Sequence, residues 1–160
     1  MSKETDPGES FYATVVMGEH RSTPPVIHTA QAKIMRPVVA AAHTSRLLDI
    51  GSGAGVGAAL IAKTASIDHV VCIDLSVPAL TEVRKRGFSP LISSAEGHKL
   101  PFPDKTFDVV MIDEVIEHLV DTDSIMEEIH RVLTDQGQLL ISTPNLASWF
   151  NRIALLFGIQ

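Results

Sequence analysis

Three glycines at alternate positions, preceded by a carboxylate, form the stretch of this sequence best suited to hold a ligand. Residues 46–57 have the sequence RLLDIGSGAGVG, in which an apolar run containing Asp49 leads into Gly51, Gly53 and Gly55. Glycine lets the backbone turn at positive φ and leaves no Cβ where a ligand must lie against the main chain. The helix that should follow would point its unpaired N–H groups at that ligand. The stretch therefore predicts a nucleotide-type cofactor site.

A second carboxylate, Asp74, follows the next apolar run, residues 69–73. A carboxylate at this place in an α/β sheet can accept hydrogen bonds from ribose hydroxyls. The spacing suits nicotinamide and adenosyl cofactors alike, and the alternative is a strand-end turn with Ser76. The glycines fit the pyrophosphate-binding pattern G-x-G-x-x-G/A only loosely, and Asp49 suits a cationic ligand better than a pyrophosphate.

The pattern acidic-x-Gly-x-Gly-x-Gly resembles the first motif of the class I S-adenosylmethionine-dependent methyltransferases. The resemblance extends from about Arg46 to Asn145. Within it, Ser93-Ser94-Ala95-Glu96 precedes LPFPD at 100–104 and then FDVV at 107–110. This order is similar to the family's Asp-Ala-Glu, Leu-Pro-Phe and Phe-Asp elements, and the alternative is an ordinary loop. A nicotinamide-dependent enzyme has no reason to show it.

The resemblance implies S-adenosylmethionine as the methyl donor, S-adenosylhomocysteine as the product and a small molecule as the acceptor. It also implies a set of cofactor-binding residues at the carboxyl ends of the strands. These are Asp49, Gly51, Ser52, Gly53, Gly55, Asp74, Leu75, Ser94, Ala95, Glu96 and Asp113. Ser94 departs from the family, which has at this position an Asp that contacts the adenine amino group. No metal ligands are implied.

Two residues are candidates for a catalytic role. Residues 112–119, IDEVIEHL, resemble the family's Glu-Val-x-Glu-His-Leu element and contain Glu114 and His118. The resemblance implies that Glu114 lies where the chain passes the methyl-donor centre. A histidine with an unperturbed pKa of about 6.5 suits proton removal near neutral pH. The alternative for His118 is that it caps or packs a short helix.

Apolar strands alternate with amphipathic helices, which predicts an α/β fold with a doubly wound, mostly parallel, Rossmann-like sheet. About five strands are expected, in the order 3-2-1-4-5. The predicted strands are residues 47–50, 69–73, 90–92, 107–112 and 138–143, and the predicted helices are 29–43, 56–64, 78–86, 123–133 and 146–159. Asp135-Gln136-Gly137 predicts a turn. Ligands in such sheets bind at the carboxyl ends of the strands, where all the candidate residues fall.

The sequence pattern divides the chain into two parts. Residues 1–28 are expected to be an irregular, partly flexible segment, and residues 29–160 the cofactor-binding domain. The family's sheet has seven strands, and this chain ends before the last two. The resemblance therefore implies an exposed fifth strand and an uncovered apolar helix at 146–159, both suited to pairing with another chain. The interpretations left open are a truncation, a split enzyme completed by a partner, and a homodimer.

Composition narrows the function classes further. The 160 residues suit one domain, and a formal net charge of −6 argues against a basic nucleic-acid surface. No apolar run reaches the roughly 18 residues of a membrane span, no signal peptide is evident, and the single cysteine, Cys72, excludes an internal disulfide. A cytoplasmic methyltransferase is therefore expected. The alternatives are a non-catalytic subunit of a methyltransferase and a nicotinamide-dependent oxidoreductase. The residues do not specify the acceptor.

Overall fold

The computed structural model describes residues 12–18, 46–96 and 99–144, with only the backbone described at 12–18 and Pro144. Six strands form one sheet in these residues. They are β1 (Tyr12–Gly18), β2 (Arg46–Ile50), β3 (His69–Asp74), β4 (Ser89–Ile92), β5 (Phe107–Asp113) and β6 (Leu133–Pro144). Their order is β1-β6-β5-β2-β3-β4, and every neighbouring pair is parallel.

The described residues contain three α-helices and one short 3₁₀ helix, two of which begin at a residue whose side chain caps the first turn. They are α1 (Val56–Ala65), α2 (Val77–Lys85), a 3₁₀ helix (Ile116–His118) and α3 (Thr122–Val132). The Ser76 hydroxyl accepts a hydrogen bond from the Ala79 N–H at the start of α2, and the Asp121 carboxylate accepts one from the Ser124 N–H at the start of α3. Across the described part of the chain, no helix has the length and apolar character needed to cross a membrane.

Apolar side chains of the central strands point alternately to the two faces of the sheet, and each face is covered by helices. Leu47 packs in a buried cluster with Ile61 of α1 and Val83 of α2. The next residue, Leu48, packs on the opposite face in a cluster with Ile129 of α3. Period-two alternation in β2 therefore builds both halves of a doubly wound core.

The predicted sheet is confirmed, and one strand is added to it. The five predicted strands correspond to β2, β3, β4, β5 and β6, and their order is 3-2-1-4-5 as expected. The prediction of an irregular segment is wrong for Tyr12–Gly18, which forms β1. The predicted helices over 29–43 and 146–159 lie outside the described residues.

The prediction that the fifth strand is an exposed edge is also wrong. β1 pairs along β6, from Tyr12 opposite Gln138 to Gly18 opposite Pro144. The sequence of β1, YATVVMG, is rich in residues with high β-propensity, and the backbone groups of β6 would otherwise lack partners on that side. Backbone pairing with a distant part of the same chain thus occupies the side of β6 that was predicted to be exposed.

The predicted turn at Asp135-Gln136-Gly137 lies inside β6 as an irregularity. Leu133 pairs with Phe107, and the next paired residue of β6 is Gln138, opposite Val109. More residues of β6 than of β5 therefore lie between the two pairs, so the turn residues bulge out of the ladder.

The loop between β4 and β5 is held against α3 by Arg131, which forms ion pairs with Glu128 of α3 and with Asp104 of the loop. Arg131 donates to the carbonyl oxygens of Leu100 and Phe102, at 3.0 and 2.8 Å, and to Glu128 at 2.6 Å. Glu128 in turn accepts from the Leu100 N–H at 2.7 Å. The hydrogen bonds from Arg131 hold the pKa of Glu128 below its usual range. The Leu-Pro-Phe segment is thereby held against the helix, which orders the chain next to the strand ends.

Candidate functional site

The glycine-rich loop between β2 and α1 is anchored to the neighbouring strand. The N–H groups of Gly51 and Ser52 both donate to the Ile73 carbonyl, at 2.9 and 3.1 Å. Gly51 and Gly53 have φ values of 69° and 51°, which side chains rarely tolerate. Gly55 is buried at the start of α1, where a Cβ would lie 3.1 Å from Val83 Cγ2. Gly55 therefore permits close packing of α1 on α2.

Asp74 ties this loop to the end of β3. Its Oδ2 accepts a hydrogen bond from the Gly53 N–H at 2.8 Å, and its Oδ1 accepts one from the Ser76 N–H at 2.7 Å. The strand-end turn with Ser76 is thus present together with a contact to the glycine loop. Each carboxylate oxygen has a second lone pair, so these bonds leave acceptor capacity for ligand hydroxyls.

Carboxylates meet at a cavity of about 100 Å³ beneath the loop. The cavity is lined by the glycine turn, the start of α1 and the side chains of Asp49, Met111 and Asp113. Asp49 is only 2% exposed. Burial raises the pKa of Asp49 well above its usual value, and the charges of Asp113 and Asp74 raise it further. This concentration of negative charge favours a cationic ligand.

The pKa of Asp49 gives a prediction for stability. Because the folded chain holds this proton more tightly than the unfolded chain, the stabilisation is complete below the unfolded pKa of about 3.9 and is lost as pH rises through the folded pKa. Asp49→Asn removes this loss, so its free energy of unfolding at pH 7 should exceed wild type by about 1 kcal/mol. Urea unfolding at several pH values between about 5 and 8 measures the difference.

The control for this experiment is Asp68→Asn, because Asp68 is exposed on the loop before β3. It should leave both the stability and its pH dependence close to those of wild type. Asp49→Asn protein with the same pH dependence as wild type would contradict the prediction.

The end of β5 is connected to β6 and to the glycine loop. The Ser142 hydroxyl donates to Asp113 Oδ1, and the Ser142 carbonyl accepts from the Glu114 N–H at 3.0 Å. Glu114 has a φ of 55°, a conformation that costs a non-glycine residue about 1 kcal/mol. Val115, the next residue, packs so closely on Gly51 that a Cβ there would overlap Val115 Cγ2. Three strands are thereby linked around the cavity.

A second group of predicted residues lies beyond the ends of β3 and β4. The Ser94 hydroxyl accepts from the Glu96 N–H at 3.0 Å, and Glu96 Oε1 accepts from the Val120 N–H at 2.9 Å. The serine at the family's Asp position therefore still closes a local turn. Leu75 and Ile92 are 69% and 61% exposed, which leaves apolar surface at the ends of β3 and β4.

The two catalytic candidates are placed differently. Glu114 is half-buried and directly follows Asp113, which lines the cavity. The side chain of His118 is exposed at the end of the 3₁₀ helix and does not line this cavity, and the backbone N–H of His118 donates to the Val115 carbonyl at 2.9 Å. The fold thus brings together four of the predicted site residues around one cavity, Asp49, Gly51, Ser52 and Asp113, while His118 lies apart from them.

Two contacts of the site were missed from the sequence. Ser142 is buried, with 1% of its surface exposed, and reaches Asp113. Arg86, at the end of α2, donates from Nε to the Ala54 carbonyl of the glycine loop at 2.9 Å. A signal for Ser142 exists, because a serine that ends the apolar run Leu139-Leu140-Ile141 must find a hydrogen-bond partner if it is buried. Arg86 gives no comparable signal.

Comparison with known proteins identifies a family and several relatives. A methyltransferase domain family matches residues 48–141. A probable S-adenosylmethionine-dependent methyltransferase of Mycobacterium tuberculosis is 40% identical over 99 residues, which cover 62% of this chain and 35% of the relative. Demethylmenaquinone methyltransferase of Streptomyces griseus is 29% identical over 138 residues, covering 84% of this chain and 59% of the relative.

The chain is also similar to solved structures. The YcgJ protein of Bacillus subtilis superposes with a TM-score of 0.60 at 25% identity, covering 71% of this chain and 50% of that chain. The chain spans between a third and two fifths of the length of the mycobacterial relatives that it matches.

Proposed function

The chain belongs to the S-adenosylmethionine-dependent methyltransferase family, and we propose that it transfers the methyl group of S-adenosylmethionine to a small-molecule acceptor. The observation that carries the proposal is the hydrogen bond from the Gly53 N–H to Asp74 Oδ2 at 2.8 Å. It joins the glycine loop to the strand-end carboxylate, so that one ligand can contact both.

The donor set of the site fits this cofactor. S-adenosylmethionine carries a sulfonium and an ammonium group, and the cavity beneath the loop is lined by the carboxylates of Asp49 and Asp113. A pyrophosphate would be repelled by the same two groups. A Cβ added at Gly53 would meet no atom within 4 Å, so the loop presents bare backbone to an open space. These features support a cationic cofactor lying against the loop.

We assign the residues of the site to three parts of the cofactor. Asp74 would hold the ribose through the acceptor capacity that remains on its carboxylate. Asp49 and Asp113 would face the methionine end. The adenine would lie among the exposed side chains of Leu75 and Ile92 and the turn that begins at Ser94. The proposed set is completed by residues of two loops. These are Gly51, Ser52, Gly53 and Gly55 of the glycine-rich loop, and Ala95 and Glu96 of the loop after β4.

The chemistry asks the protein mainly for alignment. S-adenosylmethionine supplies an activated methyl carbon, so a nucleophilic atom of the acceptor can displace the sulfur directly. The chain's own residues then hold both reactants in line and exclude water. A hydroxyl acceptor must also lose its proton, and we propose Glu114 as the group that takes it, with His118 as the second candidate.

A small acceptor agrees with the relatives and with the charge of the chain. The Streptomyces griseus relative is named for demethylmenaquinone, a small molecule. The formal net charge of −6 disfavours a polyanionic nucleic acid. A cytoplasmic location remains a prediction. Association with a second chain also remains one, and it no longer has an exposed β6 to support it, because β1 occupies that side.

The test combines binding with methyl transfer. Calorimetric titration of the wild-type chain should show binding of S-adenosylhomocysteine and none of NADH. With radiolabelled S-adenosylmethionine, label should move to demethylmenaquinone used as a probe acceptor and not to duplex DNA. Absence of S-adenosylhomocysteine binding would refute the proposal. Binding without transfer to any acceptor would favour a non-catalytic subunit, and binding of NADH alone a nicotinamide-dependent enzyme.

A further inference from the structure

Ser142 is a buried polar residue at the end of an apolar strand. The three residues before it, Leu139, Leu140 and Ile141, all belong to the core, and Ser142 itself is 1% exposed. A buried hydroxyl is costly unless it is hydrogen-bonded. Its partner is the carboxylate of Asp113, directly opposite in the register between β5 and β6. The cost of burying Ser142 is therefore met by a contact to the wall of the cavity.

The backbone of Ser142 makes a second contact to the same segment. Its carbonyl accepts the N–H of Glu114 at 3.0 Å, and Glu114 has a φ of 55°. A non-glycine residue in this conformation persists only where its surroundings hold it there. The next residue, Val115, packs against Gly51 of the glycine loop. One residue of β6 thus fixes a carboxylate of the cavity and the turn that supports the loop.

We propose that Ser142 is a positioning residue of the cofactor site, whose hydroxyl holds the Asp113 carboxylate toward the methionine end of S-adenosylmethionine. This rests on the proposed function. Ser142 does not touch the cofactor in this proposal and acts through Asp113. Loss of the hydroxyl should therefore weaken ligands that carry the amino-acid moiety and should spare those that lack it.

The experiment uses a matched pair of variants and a matched pair of ligands. Ser142→Thr and Ser142→Val give side chains of nearly the same shape that differ in the hydroxyl, so overpacking affects them similarly. The ligands are S-adenosylhomocysteine and 5′-methylthioadenosine, which lacks the α-amino and α-carboxylate groups of the amino-acid moiety. The valine variant should bind S-adenosylhomocysteine about 10-fold more weakly than the threonine variant, while their affinities for 5′-methylthioadenosine should agree within about 2-fold.

A double-mutant cycle gives an independent measurement. In an Asp113→Asn background, the difference between the two Ser142 variants should shrink, because the charge-assisted hydrogen bond is already lost. The control is Thr143→Val, which removes a neighbouring hydroxyl of β6 that forms only a 3.4 Å contact with Glu117. It should leave the ratio of the two ligand affinities unchanged.

The outcomes separate this proposal from the proposed function. Equal weakening of both ligands, or of neither, in the valine variant would overturn the positioning role while leaving the proposed function standing. A wild-type chain that binds neither ligand would overturn the proposed function and this proposal with it. Threonine and valine variants that differ for S-adenosylhomocysteine alone would support both.

Discussion

Replacing Asp74 with asparagine should lower the affinity for S-adenosylhomocysteine by about 100-fold. Both oxygens of the carboxylate are used in the folded chain, one by the Gly53 N–H at 2.8 Å and one by the Ser76 N–H at 2.7 Å. Asparagine keeps one acceptor oxygen and turns an amide N–H₂ toward the other donor. The variant therefore disturbs the loop as well as the proposed ribose contact, and each charge-assisted bond is worth about 1.5–3 kcal/mol.

Ligands that differ in the ribose hydroxyls separate these two contributions. The wild-type chain should bind adenosine about 10-fold more tightly than 2′,3′-dideoxyadenosine, and Asp74→Asn should bind the two alike. Calorimetry provides the affinities. The control is Asp123→Asn, an exposed carboxylate in the first turn of α3, which should preserve both values. Equal discrimination by wild type and Asp74→Asn would place the ribose elsewhere.

Gly51→Ala should mainly lower the stability of the chain, whereas Gly53→Ala should mainly lower its affinity for the cofactor. Both residues have positive φ, so each substitution costs about 1 kcal/mol of strain. At Gly51 the new Cβ also overlaps Val115, and the total loss of stability should reach about 3 kcal/mol. At Gly53 the Cβ meets nothing within 4 Å. Gly53→Ala should therefore fold with a small loss and weaken S-adenosylhomocysteine by about 10-fold, because the methyl group enters the space proposed for the cofactor.

The chain supplies a control for each variant. Gly87 also has a positive φ, 84°, and open space around its Cβ position, so Gly87→Ala should match Gly53→Ala in stability but not affect binding. Val115→Ala should restore part of the stability lost in Gly51→Ala, because it removes the overlapping methyl groups. Urea unfolding and calorimetric titration measure the two quantities. If Gly53→Ala and Gly87→Ala bind S-adenosylhomocysteine equally well, the glycine loop is not part of the cofactor site.

The order of the sheet and the place of the loop could be predicted because they depend on local patterns. Alternating apolar strands and helices, with glycines directly after β2, indicate a doubly wound sheet before any long-range contact is known. The N-terminus of α2 is one example, since Ser76 and Pro78 both favour helix initiation at that point. Asp74 belongs to the same class of signal, because it directly follows the apolar run of residues 69–73.

The contacts that could not be predicted join residues far apart in the chain. β1 lies more than a hundred residues before its partner β6, and no periodicity in YATVVMG identifies that partner. The hydrogen bond from Ser142 to Asp113 depends on a register between strands that the sequence does not encode locally. The turn predicted at Asp135-Gln136-Gly137 has the right composition, but the surrounding ladder continues past it as a bulge.

The reactivity of Cys72 can report how often the centre of the sheet opens. It is the only cysteine in the sequence, its side chain is wholly buried in β3, and burial raises the pKa of the thiol to about 12. A thiol reagent can therefore modify the folded chain only when the strand next to the glycine loop becomes exposed. The rate of alkylation therefore measures how often the strand opens. A ligand that binds the closed chain must lower this rate in proportion to the fraction of chains that it occupies.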